Sequence, residues 1–507
     1  MSLNSLDKKF STQICIIGSG PCGYTAYKKL KGKLNLILVE GGDKKTPESV
    51  NEQINYKIKQ NKHVAEFRSG GKSRNVENRL ETSYRDRKYT LGGSSQCWTG
   101  LIKPFEYSTF KNSFPEAPEN DWGNLDLLSY EQEALEILEA PINNYDAKKF
   151  AKYLNLKLPD LPDNFYYSVL AWPDKVLRLK KYWLSRATNN LADIESAKKD
   201  VLYGYKLIDG QLIKGELKNA IFENIAGQRL TINAKYFILA MGGIENARFI
   251  KKLNNKYINL SRKLDSKNFG HFFEHPHLNW IVGFKKGKNP ISRFLYQQNQ
   301  VKTNSIFYKN PGKIKFSTIA WDGFGSPKAS IEIVKLPSKG LNLSRRLKRK
   351  YREIFNINPF SHEYVIFMRC EQSKDYQSRI NFEETETKLN WRLPIDNLKF
   401  YSNYLKKFCS FLQANGYCDD LFLYDESIAN NFVPTRAVGG GHHMGTVPYL
   451  ADNQGSLIDS NFRYNDILNM YVIGTSSFPI VGWENPTHNA VCTSLVAADH
   501  IKFLEKL

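Results

Sequence analysis

Residues 437–446 read AVGGGHHMGT, two adjacent histidines behind three glycines. Imidazole titrates near neutral pH, so such a pair suits a catalytic base, a metal site or a hydrogen-bonded piece of core. If 438–446 is extended, successive side chains point to opposite faces. His442 and His443 would then make a poor chelating pair, and only one of them would face a given ligand. A second cluster, EHPH, places His275 and His277 on an alternating segment. No third or fourth ligand lies at a zinc-binding spacing, so packing or hydrogen bonding is expected there and no metal site.

A reactive side chain needs something to act on, and the amino-terminal fifty residues supply it. QICIIGSGPCGYTAYKKLKGKLNLILVEGG reads strand, glycine turn, helix, strand. Ile14, Ile16 and Ile17 form a β-branched run suited to a buried parallel strand. Gly18, Gly20 and Gly23 then make GxGxxG: a tight turn, close approach of a pyrophosphate, and close packing of helix on strand. The helix over 21–31 would aim its positive end at the phosphates. Glu40 ends the second strand 22 positions beyond Gly18, where a carboxylate holds ribose hydroxyls and repels a 2′-phosphate. Dinucleotide binding follows, with NAD and FAD both open at this point. In LGGSSQCWTG, Gly92 and Gly93 let backbone approach a flat ring system, while Ser94 and Ser95 can serve phosphate or ribityl oxygens.

Composition bounds the remaining possibilities. A 507-residue chain with 41% hydrophobic and 24% charged residues is expected to be soluble and globular, with a large core. No apolar run approaches a membrane-spanning length. MSLNSLDKKFSTQ lacks the apolar core of a signal peptide. Seven scattered cysteines without a CxxC pair fit free thiols in a reducing, cytoplasmic setting. The net charge of +21 is concentrated at 345–352, which holds six basic residues. The plain reading is a solvated helix; contact with an anionic membrane surface is the alternative. No zinc-finger or RNA-binding signature accompanies the charge, so nucleic acid is not expected as a partner.

The ordered motifs GSGPCG with VEGG, LGGSSQCWTG, FILAMGGIENAR, NFGHFFEHPH, EQSKDYQSRINF, GGGHHMGT and NMYVIGTSSFPIVGWENPTHNAV span nearly the whole chain. Together they resemble the glucose–methanol–choline (GMC) flavin-dependent oxidoreductases, most closely the bacterial sugar- and polyol-type members near pyranose oxidase. The resemblance implies FAD as cofactor, its ADP half on Gly18, Gly20, Gly23 and Glu40, and its flavin against Gly92, Gly93, Ser94 and Ser95. Cys97 stands where pyranose oxidase carries a flavin-linking histidine, so FAD is expected to be non-covalent. The family's H-x-x-G-[TS] motif maps its base onto His442, and the His-or-Asn position maps onto Asn485. An amide there can fix the substrate oxygen without competing for its proton. Pro486 suits a helical first turn, which puts Asn485 at the N-cap of a helix over 486–504, whose positive end would support reduced flavin. This chain departs from some relatives in having Val447-Pro448 after the histidine motif and Gly474 in place of an acid. The second change leaves Ser476, or backbone, to meet the ribityl chain.

The expected fold is α/β: a Rossmann-like FAD-binding domain with a parallel sheet, and an α+β substrate domain with an antiparallel sheet. The first is assembled from 10–115, 185–280 and 430–507; 281–430 forms the second, and 116–184 connects them. KIKFSTIAW and ASIEIVKL should be strands of the antiparallel sheet. The expected activity is FAD-dependent oxidation of a sugar or polyol hydroxyl, with oxygen, a quinone or a protein as electron acceptor. Two alternatives stand beside it: an NAD-dependent Rossmann dehydrogenase, and a non-catalytic flavin-binding interaction or membrane-surface protein.

Overall fold

In the computed structural model, residues 8–45, 58–60, 63–69, 72–78, 87–98, 100–106, 127–153, 155, 158–173, 187–196, 198–257, 260, 263–291, 298–301, 312–321, 327–335, 363–383, 387–423, 437–450 and 455–507 are described. The basic segment 345–352 lies outside them.

Strand β1, Lys8–Ile17, helix α1, Pro21–Leu30, and strand β2, Leu36–Glu40, form the expected dinucleotide-binding unit. Ile14, Ile16 and Ile17 are buried, as are all five residues of β2. Both pairings of β1 are parallel, with β2 on one side and Arg229–Leu239 on the other. Burial on two faces explains why these segments read as unbroken apolar runs. Val201–Tyr203 extends the sheet beyond β2, and Met470–Val472 joins Arg229–Leu239 in parallel. The far edge is an antiparallel hairpin, Lys206–Ile213 and Glu216–Glu223. The carboxy-terminal helix Thr487–Leu504 packs on α1 and buries Val491, Leu495 and Ile501.

The second sheet is antiparallel and runs Gln298–Val301, Gly312–Trp321, Ala329–Lys335, Tyr364–Cys370, Pro276–Lys286, Cys418–Leu423. KIKFSTIAW and ASIEIVK are strands of it, as expected. One face packs Ile319, Ile331, Ile366 and Met368 against Tyr401, Tyr404 and Phe408 of the helix Ile395–Ala414. Directly paired residues of antiparallel strands share a face, so Ser330, Arg369 and His277 form one row across the other face. Ala320, next in that row, packs on Trp483, two residues before Asn485.

Three strands in this sheet come from segments assigned elsewhere in the sequence reading. Phe165–Pro173, within 116–184, pairs with Gly312–Trp321. Pro276–Lys286 crosses position 280, and Ala437–Gly439 pairs with it from the last segment. Hydrophobic alternation shows that a stretch is a strand but carries no information about its partner. Among the described residues, no helix is long and apolar enough to cross a membrane.

Candidate active site

The turn after β1 needs its glycines for different reasons. Gly18 has φ +104°, and a Cβ there would lie 2.4 Å from the Ala240 carbonyl oxygen. A Cβ on Gly23 would lie 1.9 Å from the Gly18 oxygen, so Gly23 lets α1 sit against β1. At Gly20 a Cβ would meet nothing within 4 Å; here the backbone borders open cleft, the space a pyrophosphate requires. Glu40 is buried, and its carboxylate accepts from the Ser19 backbone at 2.9 Å, the Ser19 hydroxyl at 2.7 Å and Gly42 N–H at 2.9 Å. Burial pushes its pKa up, while these hydrogen bonds pull the other way. A carboxylate has about four acceptor sites, so capacity for a ribose hydroxyl remains.

The Ser19 hydroxyl also accepts from Gly92 N–H at 2.8 Å, tying the glycine–serine stretch to the dinucleotide turn. Gly92 has φ +88° and stands behind the cleft in this bonding role. Gly93, Ser94 and Ser95 line a cleft of about 900 Å³ together with Gly18, Gly20 and Glu40. Cys97 is on the same wall, with its thiol 3.2 Å from the Ser94 carbonyl oxygen. The open space at Gly20, the carboxylate at the end of β2 and the glycine–serine wall fit a dinucleotide with a flat ring system.

The histidine segment, which lines the same cleft, is not a regular strand. Gly440 N–H donates to His275 O, and Met444 N–H donates to Phe273 O. Three residues, 441–443, therefore bulge opposite the single residue Glu274, with Gly441 at φ +78°. The bulge overrides strand alternation: His442 and His443 both line the cleft. Their environments differ. His443 is buried, lies against Phe272, has its Nε2 3.6 Å from Glu274 Oε1, and presents its carbonyl to the Thr475 hydroxyl at 2.8 Å. His442 is half-buried; its N–H donates to Glu274 Oε2 at 3.0 Å, and its Nδ1 is 2.9 Å from His275 Nδ1. Burial, helped by Arg369, draws His442 down to about 4. Burial, then Arg87 and His442, draws His443 down to about 3.

Asn485 also lines the cleft. The helix begins at Thr487 with Pro486 as its cap residue and no side-chain cap, so Asn485 does not cap it. Its amide instead donates to the Leu101 carbonyl at 3.4 Å. Pro486 lines the cleft beside it. Ser476 is a correction: it is fully buried and accepts from Asn246 at 2.9 Å, while Gly474 and Thr475 reach the cleft in its place. Ser476 is met there by a residue 230 positions away, which the motif's spelling does not reveal. His275 and His277 stand next to His442, with ring centroids 4.8 and 6.3 Å away. Among the described residues, no group of three or more His, Cys, Asp or Glu side chains is arranged to hold a metal ion.

Residues 388–493 match the family model described as GMC oxidoreductase. Over these carboxy-terminal residues the chain is similar to GMC oxidoreductases. A pyridoxine 4-oxidase from Mesorbium loti superposes with TM-score 0.56 at 14% identity, over 97% of this chain and 99% of that one. An arginine-to-lysine variant of formate oxidase from Aspergillus oryzae RIB40 gives TM-score 0.57 at 14% identity, covering 98% and 99%. Formate oxidase itself gives 0.55 at 14%, with the same coverage. At this identity the superpositions speak for the fold alone, and they cover it end to end. No curated protein sequence matches the chain. The chain thus combines the mixed α/β fold of these oxidases, with a parallel-containing first sheet and an antiparallel second sheet, with a GMC oxidoreductase match over 388–493.

The cleft also contains residues that sequence reasoning missed. Glu245, in the first turn of the helix Gly242–Lys256, accepts from Arg87 at 3.0 Å, Tyr89 at 2.7 Å and Arg248 at 3.1 Å. Burial opposes its ionisation, yet Arg248 and Arg87 hold its carboxyl well below the usual range. Arg87 and Tyr89 flank the glycine–serine stretch, but nothing in their spacing announces a partner more than 150 positions away. Trp98 and Thr475 are further wall residues.

Proposed function

We propose that the protein oxidises a sugar or polyol hydroxyl, with His442 as the base and Asn485 as the group that fixes the substrate oxygen. The observation that carries this reading is that one cleft is lined both by the dinucleotide turn and by a half-buried, uncharged imidazole, His442, and the amide of Asn485. Bound FAD supplies the acceptor for the hydride that leaves the alcohol carbon. His442 takes the hydroxyl proton; its depressed pKa keeps the ring neutral and proton-accepting at physiological pH. Asn485, free of helix capping, has an amide oxygen and a second N–H available for the substrate. His443 is buried against Phe272, whereas His442 is half-buried on the cleft, which favours His442 as the base.

FAD is proposed to be non-covalent: on the glycine–serine wall Cys97 stands where a flavin-linking histidine would, and its thiol donates to Ser94 O at 3.2 Å. The electron acceptor is oxygen, a quinone or a protein, and the basic segment 345–352 is a proposed membrane-surface contact. A cytoplasmic location is proposed from the seven free thiols. Two experiments test the central reading. Absorbance near ~450 nm in the purified protein distinguishes flavin from nicotinamide. Anaerobic mixing with a panel of sugars and polyols should then bleach that band; a yellow protein unbleached by every member overturns the substrate class.

A further inference from the structure

The contact between His442 Nδ1 and His275 Nδ1, 2.9 Å long, has a chemical requirement of its own. Two lone pairs at this distance repel, so one of the nitrogens carries the proton shared by the pair. Charging either ring is disfavoured because both sit in buried surroundings: His275 is wholly buried, and its pKa is drawn down by burial and then by His442, His277 and Arg369. With both rings neutral, placing one proton at the contact fixes the tautomer of each. If His442 donates, its Nε2 is a lone pair facing the cleft and can take a proton. If His275 donates, His442 Nε2 carries hydrogen and cannot act as a base.

We propose that His275 is a positioning residue that accepts the Nδ1–H of His442 and so directs the basic Nε2 lone pair into the cleft. Three further contacts hold the arrangement. Glu274 Oε2 accepts from the His442 backbone at 3.0 Å and from the His275 backbone at 3.2 Å, fixing both residues through one carboxylate. Gly440 N–H donates to the His275 carbonyl at 3.0 Å, setting the register of the bulge. The logic is that of a base oriented by a third group, here with a neutral imidazole in the place usually taken by a carboxylate.

This inference rests on His442 being the base, but its test is independent of turnover. Histidine-selective ¹⁵N spectra of the purified holoprotein report which ring nitrogen bears hydrogen, and the His442 signals are assigned by their loss in His442→Gln. The expected result is an Nδ1–H tautomer at His442. A wild-type His442 with hydrogen on Nε2 overturns the proposal, and this reading requires no variant to fold. His275→Gln, whose amide oxygen can accept, should keep the Nδ1–H form. His275→Leu, which cannot accept, should lose it and slow flavin reduction by about 10²-fold or more. Retention of the Nδ1–H form in His275→Leu also overturns it. Failure of every polyol to reduce the flavin counts against the proposed substrate class and leaves the tautomer result intact.

Discussion

The side chain most exposed to a decisive test is His442. His442→Ala should retain FAD, because none of the dinucleotide-turn contacts involve it, while flavin reduction by substrate falls by about 10²–10⁴-fold. Unchanged reduction in anaerobic stopped flow would remove it as the base. Its pKa of about 4 also fixes the direction of a pH effect. The ring stays neutral and competent well below the usual ~6.5 of histidine, so the acid limb of the kcat/KM profile should lie nearer pH 4. A limb near ~6.5 would mean the base is not this imidazole. Asn485→Ala should slow reduction on the order of 10²-fold through loss of an oriented polar group. Helicity should be unchanged, since Asn485 caps nothing; a large fall in Tm would instead mark it as structural.

The element that brings these side chains together is the bulge 441–443, and its stability depends on glycine. Gly445 has φ +77°, and a Cβ there would lie 2.2 Å from the Phe273 ring. Gly445→Ala should therefore combine backbone strain with overpacking and cost about 2–4 kcal/mol. Thermal denaturation should show this as a clear drop in Tm; an unchanged Tm would mean the bulge rearranges freely. Gly445 N–H also donates to Thr475 O at 2.9 Å. The bulge is thus pinned to the first sheet's last strand-turn as well as to the second sheet. This is how a segment belonging to one sheet delivers two histidines to a cleft built largely by the other.

At the scale of the molecule, several histidines are buried in neutral form. His271 and His442 are drawn to about 4 and His443 to about 3, in each case chiefly by burial. In the unfolded chain these rings titrate near ~6.5. The fold favours their neutral forms, so this contribution is complete above ~6.5 and is lost as pH falls towards 4 and then 3. Unfolding midpoints should therefore decline steadily from pH 7 to pH 4. A midpoint independent of pH over that window would mean the imidazoles are solvated.

Much of this was legible in the chain itself. β1, α1 and β2 are local: burial on two faces forces continuous apolar strands, and each glycine of GxGxxG answers a short-range steric demand, so spelling and structure agree. The same holds for the strands around KIKFSTIAW and ASIEIVK, and for the presence of Gly18, Gly20, Glu40, Gly93, Ser94, Ser95, His442, Asn485 and Pro486 on one cleft. What the sequence could not determine depends on partners distant along the chain. Phe165–Pro173 joins the second sheet because Gly312–Trp321 offers it an edge. Ser476 turns inward because Asn246 meets it there. The two adjacent histidines share the cleft because Glu274 and Phe273 hold a bulge, which strand alternation excludes. His275, read as a packing residue, gains its chemistry only from the 2.9 Å approach to His442. Local periodicity and sterics are written in neighbouring residues; register, bulges and ring-to-ring contacts arise only when distant strands pair.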